Sequence, residues 1–150
     1  MKLLRRPARL ALLAALDIAL HARARPVSSR ALATRLDLPP RRLEAPLQAL
    51  VRAGILKSVR GPAGGYELAR ERRRICLGEI VGAVLQHEAE TEGEDVVRPL
   101  ALESALEPMI AEAEARALEA LDRITLDDLY ARAVGEGAGG EDDVPGDFAI

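Results

Sequence analysis

The stretch RAGILKSVRGPAGGYELAR, Arg52 to Arg70, decides the fold. Ile55 to Val59 alternates like a strand, Arg60 to Gly65 reads RGPAGG, and Tyr66 to Leu68 resumes the strand, which predicts a hairpin with a Gly- and Pro-rich tip. Just upstream, a helix entered at Pro39-Pro40 carries Leu43, Leu47, Leu50 and Val51 inward, and Gly54 ends it. Before that, Ser28 or Ser29 supplies an N-cap hydroxyl to a shorter helix with Leu32, Ala33 and Leu36 on its apolar face. Only Asp37, Leu38 and Pro39 remain as a turn, the spacing of a helix-turn-helix unit followed by a wing.

The periodicity extends in both directions. Leu10, Leu13, Leu16, Asp17 and Leu20 place an amphipathic helix over 8–22, entered through Pro7. Downstream, RERRR (Arg70 to Arg74) leads into a helix over 77–85 with Cys76 and Glu79 at capping-box spacing. His87 to Asp95 reads as a polar connector. Leu102, Leu106, Met109 or Ile110, Ala113, Ala117 and Leu121 then sustain a helical stripe too long for an 85-residue domain to bury, so a partner helix is expected. Thr125 and Asp128 cap a last helix through Val134. The predicted fold is mainly α with a small β-hairpin wing. It comprises a winged helix-turn-helix domain (1–85), an acidic connector (86–98), a dimerisation helix with a short C-terminal helix (99–134) and a disordered acidic tail (135–150).

Charge divides the same way. The total of -3 conceals 17 Lys+Arg against 6 Asp+Glu up to Leu85, and 4 against 18 beyond it. Basic charge concentrated on one small domain is the footprint of a nucleic-acid binder. With one Phe, two Tyr and no Trp, the core must be Leu, Ala, Val and Ile, which favours helices. The apolar run from Leu10 to Leu20 is too short to span a bilayer and lacks a cleavage site, so a cytoplasmic protein is expected. One cysteine excludes an internal disulfide, and with two distant histidines no metal site is expected. Nothing suggests an enzyme: there is no phosphate loop, no nucleophile with a base and no paired acids in an apolar pocket.

Val27 to Arg70, strongest at the wing, resembles the Rrf2 family of bacterial transcriptional regulators. The resemblance continues through ICLGEIVGAV (residues 75 to 84) and the long helix closed by ITLDDL (residues 124 to 129). It implies a homodimeric regulator, a repressor, that reads double-stranded DNA, with no membrane partner and an effector the sequence does not name. The rival reading is a winged-helix module for protein association.

The candidate DNA-binding residues follow from their elements. Arg41, Arg42, Glu44 and Gln48 occupy the polar face of the third helix, where Arg suits guanine, Glu cytosine and Gln adenine; the resemblance makes this the reading helix, and Glu44 matches a common reading position. Arg60 at the wing tip suits a narrow minor groove, with Gly61, Gly64 and Gly65 permitting close approach. Ser28, Ser29, Arg30, Arg52 and Lys57 are phosphate candidates. Tyr66 can bond a phosphate, though packing the wing onto the domain is the preferred use. Pro46, inside the reading helix, is expected to kink it and tilt Arg41 and Arg42.

Two departures stand out. Many members of the resembled family hold an iron-sulfur cluster with three connector cysteines, and none lies between Leu77 and Pro99 here. Thiolates are the usual ligands, so no cofactor is expected. Glu88, Glu90, Glu92, Glu94 and Asp95, beside His87, fill that connector as a solvated acidic loop. Cys76 replaces the family's usual Thr at the helix cap; a helix N-terminus and Arg72 to Arg74 would stabilise its thiolate, a possible redox site.

Overall fold

The computed structural model describes residues 5–92 and 100–137. Helix α1 (Arg6–His21) is followed by α2 (Ser29–Arg35) and α3 (Arg41–Arg52), then by strands β1 (Leu56–Val59) and β2 (Gly65–Leu68). A 3-10 turn at Arg72–Arg74 leads to α4 (Leu77–Thr91), α5 (Ala101–Asp122) and α6 (Leu126–Gly135). This is a winged helix with an appended helical pair. The tail predicted for 135–150 lies outside the described residues from 138 on, as does 93–98 of the predicted connector.

Helix α1 is the centre of the packing and touches α2, α3, α4, α6 and β2. Its buried face is largely alanine, with Ala8, Ala11, Ala14, Ala15 and Ala19 beside Leu10, Ile18 and Leu20. Small side chains let neighbouring helices approach closely, and the bulk comes from opposite: Leu32 from α2, Leu43, Leu47 and Leu50 from α3, Ile80 from α4 and Leu126 from α6.

One charge enters that core. Asp17, 7% exposed, receives two bonds from Arg35 of α2, Nε to Oδ1 at 2.9 Å and Nη2 to Oδ2 at 2.8 Å. His21 Nδ1 stands 3.4 Å from the same carboxylate. A bidentate fork fixes direction as well as distance, so it sets α2 against α1.

Two turns shape the α2–α3 unit and its exit into the hairpin. At the end of α3, Gly54 has φ +71°, and the Gly54 and Ile55 amides donate to the Val51 and Leu50 carbonyls, a Schellman closure that seats Ile55 on Leu50. The α2–α3 turn uses the same geometry with Asp37 (φ +53°), whose amide donates to Thr34 while that of Leu38 donates to Ala33. The Ser28 hydroxyl accepts from the Ala31 amide at 3.1 Å and is the N-cap of α2. Pro46 does not break α3, which is assigned as one unbroken helix; its ring is buried.

The prediction that α4 stops at Leu85 is corrected: it continues through Thr91, so the first residues of the predicted connector are helical. Gln86 donates to Glu90 one turn on, and Arg52 of α3 pairs with Glu90 at 3.0 Å, giving the acidic turn partners the sequence pattern does not display. Helix α6 folds back: the Leu77 amide donates to Ile124, the Leu126 amide to Ile75, and the Arg72 guanidinium lies 3.7 Å over the Tyr130 ring.

Breaking a buried pair leaves the partner charge unmatched, so Asp17→Ala is expected to cost about 3 kcal/mol in urea unfolding, and Asp17→Leu with Arg35→Met to recover much of that. Gly54→Ala, strained at positive φ, is expected to cost about 1 kcal/mol in the same assay.

Candidate nucleic-acid interface

Helix α3 packs Leu43, Leu47 and Leu50 inward, which turns Arg41, Glu44 and Gln48 outward together at three- and four-residue steps, all exposed. Arg42 faces elsewhere. With Ala45 and Pro46 it borders a crevice toward α1 and α4, so the four predicted reading residues divide into three on one face and one at its flank.

The wing stands beside this face. β1 and β2 pair antiparallel with Leu56 opposite Leu68 and Val59 opposite Gly65, leaving Arg60 to Gly64 as the tip. Gly61 has φ +112° and open space around it, and the Gly64 amide donates to its carbonyl at 2.9 Å. The other two glycines answer to their own chain. A Cβ on Gly64 would run into the Val59 carbonyl, and one on Gly65 into the Val27 backbone. Val27 and Tyr66 exchange backbone bonds at 2.9 and 2.7 Å, which staples the wing to the start of α2. Tyr66 is half-buried against the core, in keeping with its packing use.

Electrostatics sorts the predicted basic contacts. Arg41, Arg42 and Arg60 meet no carboxylate at ion-pair distance among the described residues, whereas Lys57 pairs with Glu67 across the hairpin at 3.1 Å and Arg52 with Glu90. Both pairs are largely exposed and cheap to open. Ser29 and Arg30 are exposed on the first turn of α2.

The surroundings of Cys76 are not those that its arginine-rich approach suggests. Burial pushes its thiol above the ordinary range, and Glu79 and Asp122 raise it further, against a smaller opposing effect of the backbone hydrogen bond with Glu79. Sγ lies 3.7 Å from Asp122 Oδ1, while the Arg72 guanidinium is committed to Asp127 at 3.0 Å. Asp122 ends α5, and that end is close because position 78 is glycine: a Cβ there would meet the Asp122 carboxylate. At Glu79 burial acts upward, but the Cys76 amide and the Arg70 guanidinium outweigh it and hold the carboxyl below its usual range. Sequence reasoning missed Asp122 as a neighbour of Cys76, since nothing local marks a residue 46 positions away.

Comparison with known proteins now decides the family. Residues 4–132 match the Rrf2 family, described as iron-dependent transcriptional regulator. The chain belongs to the Rrf2 family. It is 38% identical over 76 residues to the HTH-type transcriptional regulator IscR of Vibrio campbellii, covering 51% of this chain and 45% of that protein. It is also 38% identical over 77 residues to the protein rrf2 of Nitratidesulfovibrio vulgaris, covering 51% of both. The chain thus spans about half the length of the curated relatives it matches. Among solved structures, IscR of T. potens superposes with TM-score 0.64 at 33% identity, over 87% of each chain. CymR, the global cysteine regulator of B. subtilis, superposes with TM-score 0.64 at 28% identity, over 86% of this chain and 96% of that one. These relatives are transcriptional regulators, a non-enzymatic family. Among the described residues no helix is long and apolar enough to cross a membrane.

Because burial, Glu79 and Asp122 hold the Cys76 thiol above its ordinary range, its alkylation at neutral pH is expected to be slower than that of a free thiol, and Asp122→Asn is expected to speed it.

Proposed function

We propose that this protein is a homodimeric, sequence-specific DNA-binding repressor of the cytoplasm that works without an iron-sulfur cluster. The observation that carries the reading is the pairing of an exposed α3 face, Arg41, Glu44 and Gln48, with a wing whose Arg60 is unpaired among the described residues. In such a unit α3 enters the major groove, Arg41 and Glu44 read base edges, and Arg60 enters the adjoining minor groove. Ser28, Ser29, Arg30, Arg52 and Lys57 set register on phosphates, the last two by exchanging a carboxylate for a phosphate.

The dimer reading rests on α5. Its 22 residues, about 33 Å at helical rise, contribute no buried side chain; Ala117, Leu118 and Leu121 pack on Val81 and Ala8, but Leu102 is 83% and Met109 71% exposed. A second α5 covers such a stripe, and a two-fold dimer reads a pseudo-palindrome. The cluster does not fit this chain, because its one cysteine lies at the first turn of α4 against two carboxylates, and cluster ligation needs several thiolates. No step is assigned to iron.

Genomic fragments selected by the purified protein are expected to yield one palindromic site, bound at least about 4 kcal/mol more tightly than a scrambled duplex. Arg60→Ala is expected to cost about 1–3 kcal/mol and lower the salt slope by about 1. Equal binding of both duplexes and an unaffected Arg60→Ala would instead favour a protein-association module. Sedimentation at micromolar concentration is expected to give a dimer that Leu102→Glu with Met109→Glu splits.

A further inference from the structure

Between the first turn of α1, the flank of α3 and the last turns of α4 lies a crevice of about 530 Å³. That volume is in the range of small-molecule sites, which are mostly apolar with a few placed polar groups. Pro7, Leu10, Pro46 and Val84 form its apolar wall, and Arg6 and Arg42 stand at its mouth. Neither arginine has an ion-pair partner among the described residues.

Two polar groups here have no use in reading DNA. His87 borders the crevice, and its Nδ1 is shut off from solvent without a hydrogen-bond partner. Buried polar atoms in this condition ordinarily have a partner. Pro46 brings no amide, so the Arg42 carbonyl lacks its helical donor on the same side of α3. A proline inside a helix costs stability, and here its ring forms part of the apolar wall.

We propose that this crevice binds a small organic monoanion, a carboxylate with an apolar body. The carboxylate sits between Arg6 and Arg42, and the body lies on Pro7, Leu10, Pro46 and Val84. Glu88 also lines the crevice, a carboxylate that disfavours a doubly charged anion. All three helices of the crevice meet around the core, so a ligand wedged there biases how α3 sits on α1 and α4. That regulatory step rests on the DNA-reading proposal; the binding site does not.

The test titrates the full chain, without DNA, with anilinonaphthalenesulfonate and displaces the dye with octanoate, octanol or acetate. The expected result is one saturable site per chain from which octanoate displaces dye about tenfold better than octanol, with acetate ineffective. Arg6→Gln is expected to weaken octanoate about fivefold and leave octanol unchanged, and Thr91→Trp at the rim to abolish dye binding. Octanoate and octanol displacing alike, or an indifferent Arg6→Gln, would overturn the anion site. So would a dye signal that survives Thr91→Trp and is lost in Leu102→Glu, which would put the dye on α5. Duplex affinity with and without octanoate is measured separately: a change supports the coupling and no change overturns it. Failure of the unliganded protein to bind any duplex counts against the DNA-reading proposal and leaves the dye result standing.

Discussion

The helices and the wing of the winged domain are positioned by the alanine face of α1. With no Trp, and with Tyr66 and Tyr130 only partly buried against the core, the fully buried interior closes by bringing backbones together. Ala11, Ala14 and Ala15, all fully buried, permit that approach, and α3 and α4 settle on either side with their leucines and isoleucines. The cost is tolerance: a larger side chain on this face forces helices apart, and α3 carries that displacement to its exposed Arg41, Glu44 and Gln48. The Asp17–Arg35 fork adds direction, since apolar contacts alone let α2 slide along α1.

The features readable in the sequence are those whose physics is local. Pro39-Pro40, Gly54 and RGPAGG announce a helix start, a helix stop and a hairpin tip, because each acts on the dihedrals of its own residue and neighbours. Thr125 and Asp128 form the capping box their spacing implies. The misreadings share the opposite character. Helix α4 looks finished at Leu85 because the following residues are acidic, but its last turns are held partly by Arg52 from another helix. At Cys76, too, the neighbours invisible in the local sequence matter: besides burial and Glu79 across the first helical turn, Asp122 at the end of α5 acts on its thiol. The partner of Asp17 is 18 residues away and invisible to any periodicity.

The wing glycines teach a related lesson. RGPAGG reads as a tip kept free of side chains so that a partner can approach, yet Gly64 and Gly65 are required first by the chain's own backbone, at Val59 and Val27. Of the three, Gly61 alone combines positive φ with open surroundings, so its own backbone conformation is what favours glycine there. Substitutions at Gly64 and Gly65 therefore report on folding before they can report on any partner.

Charge segregation along the chain survives in the fold and bears on how the domain meets DNA. The unpaired guanidinium groups, Arg41 on α3 and Arg60 on the wing, belong to the basic half, while α5 carries Glu103, Glu107, Glu112 and Glu119 on a helix that packs chiefly on α4. Under the DNA-reading proposal this gives the molecule a field with a direction: phosphates attract the α3 and wing face and repel the α5 arm, which orients the encounter before any base is read. Arg52 lies at the boundary. Paired with Glu90, it is the point where the acidic half reaches the basic one, and releasing it to a phosphate removes a contact between α3 and the end of α4. Under the DNA-reading proposal, a phosphate at Arg52 displaces only this exposed ion pair, which costs little to open.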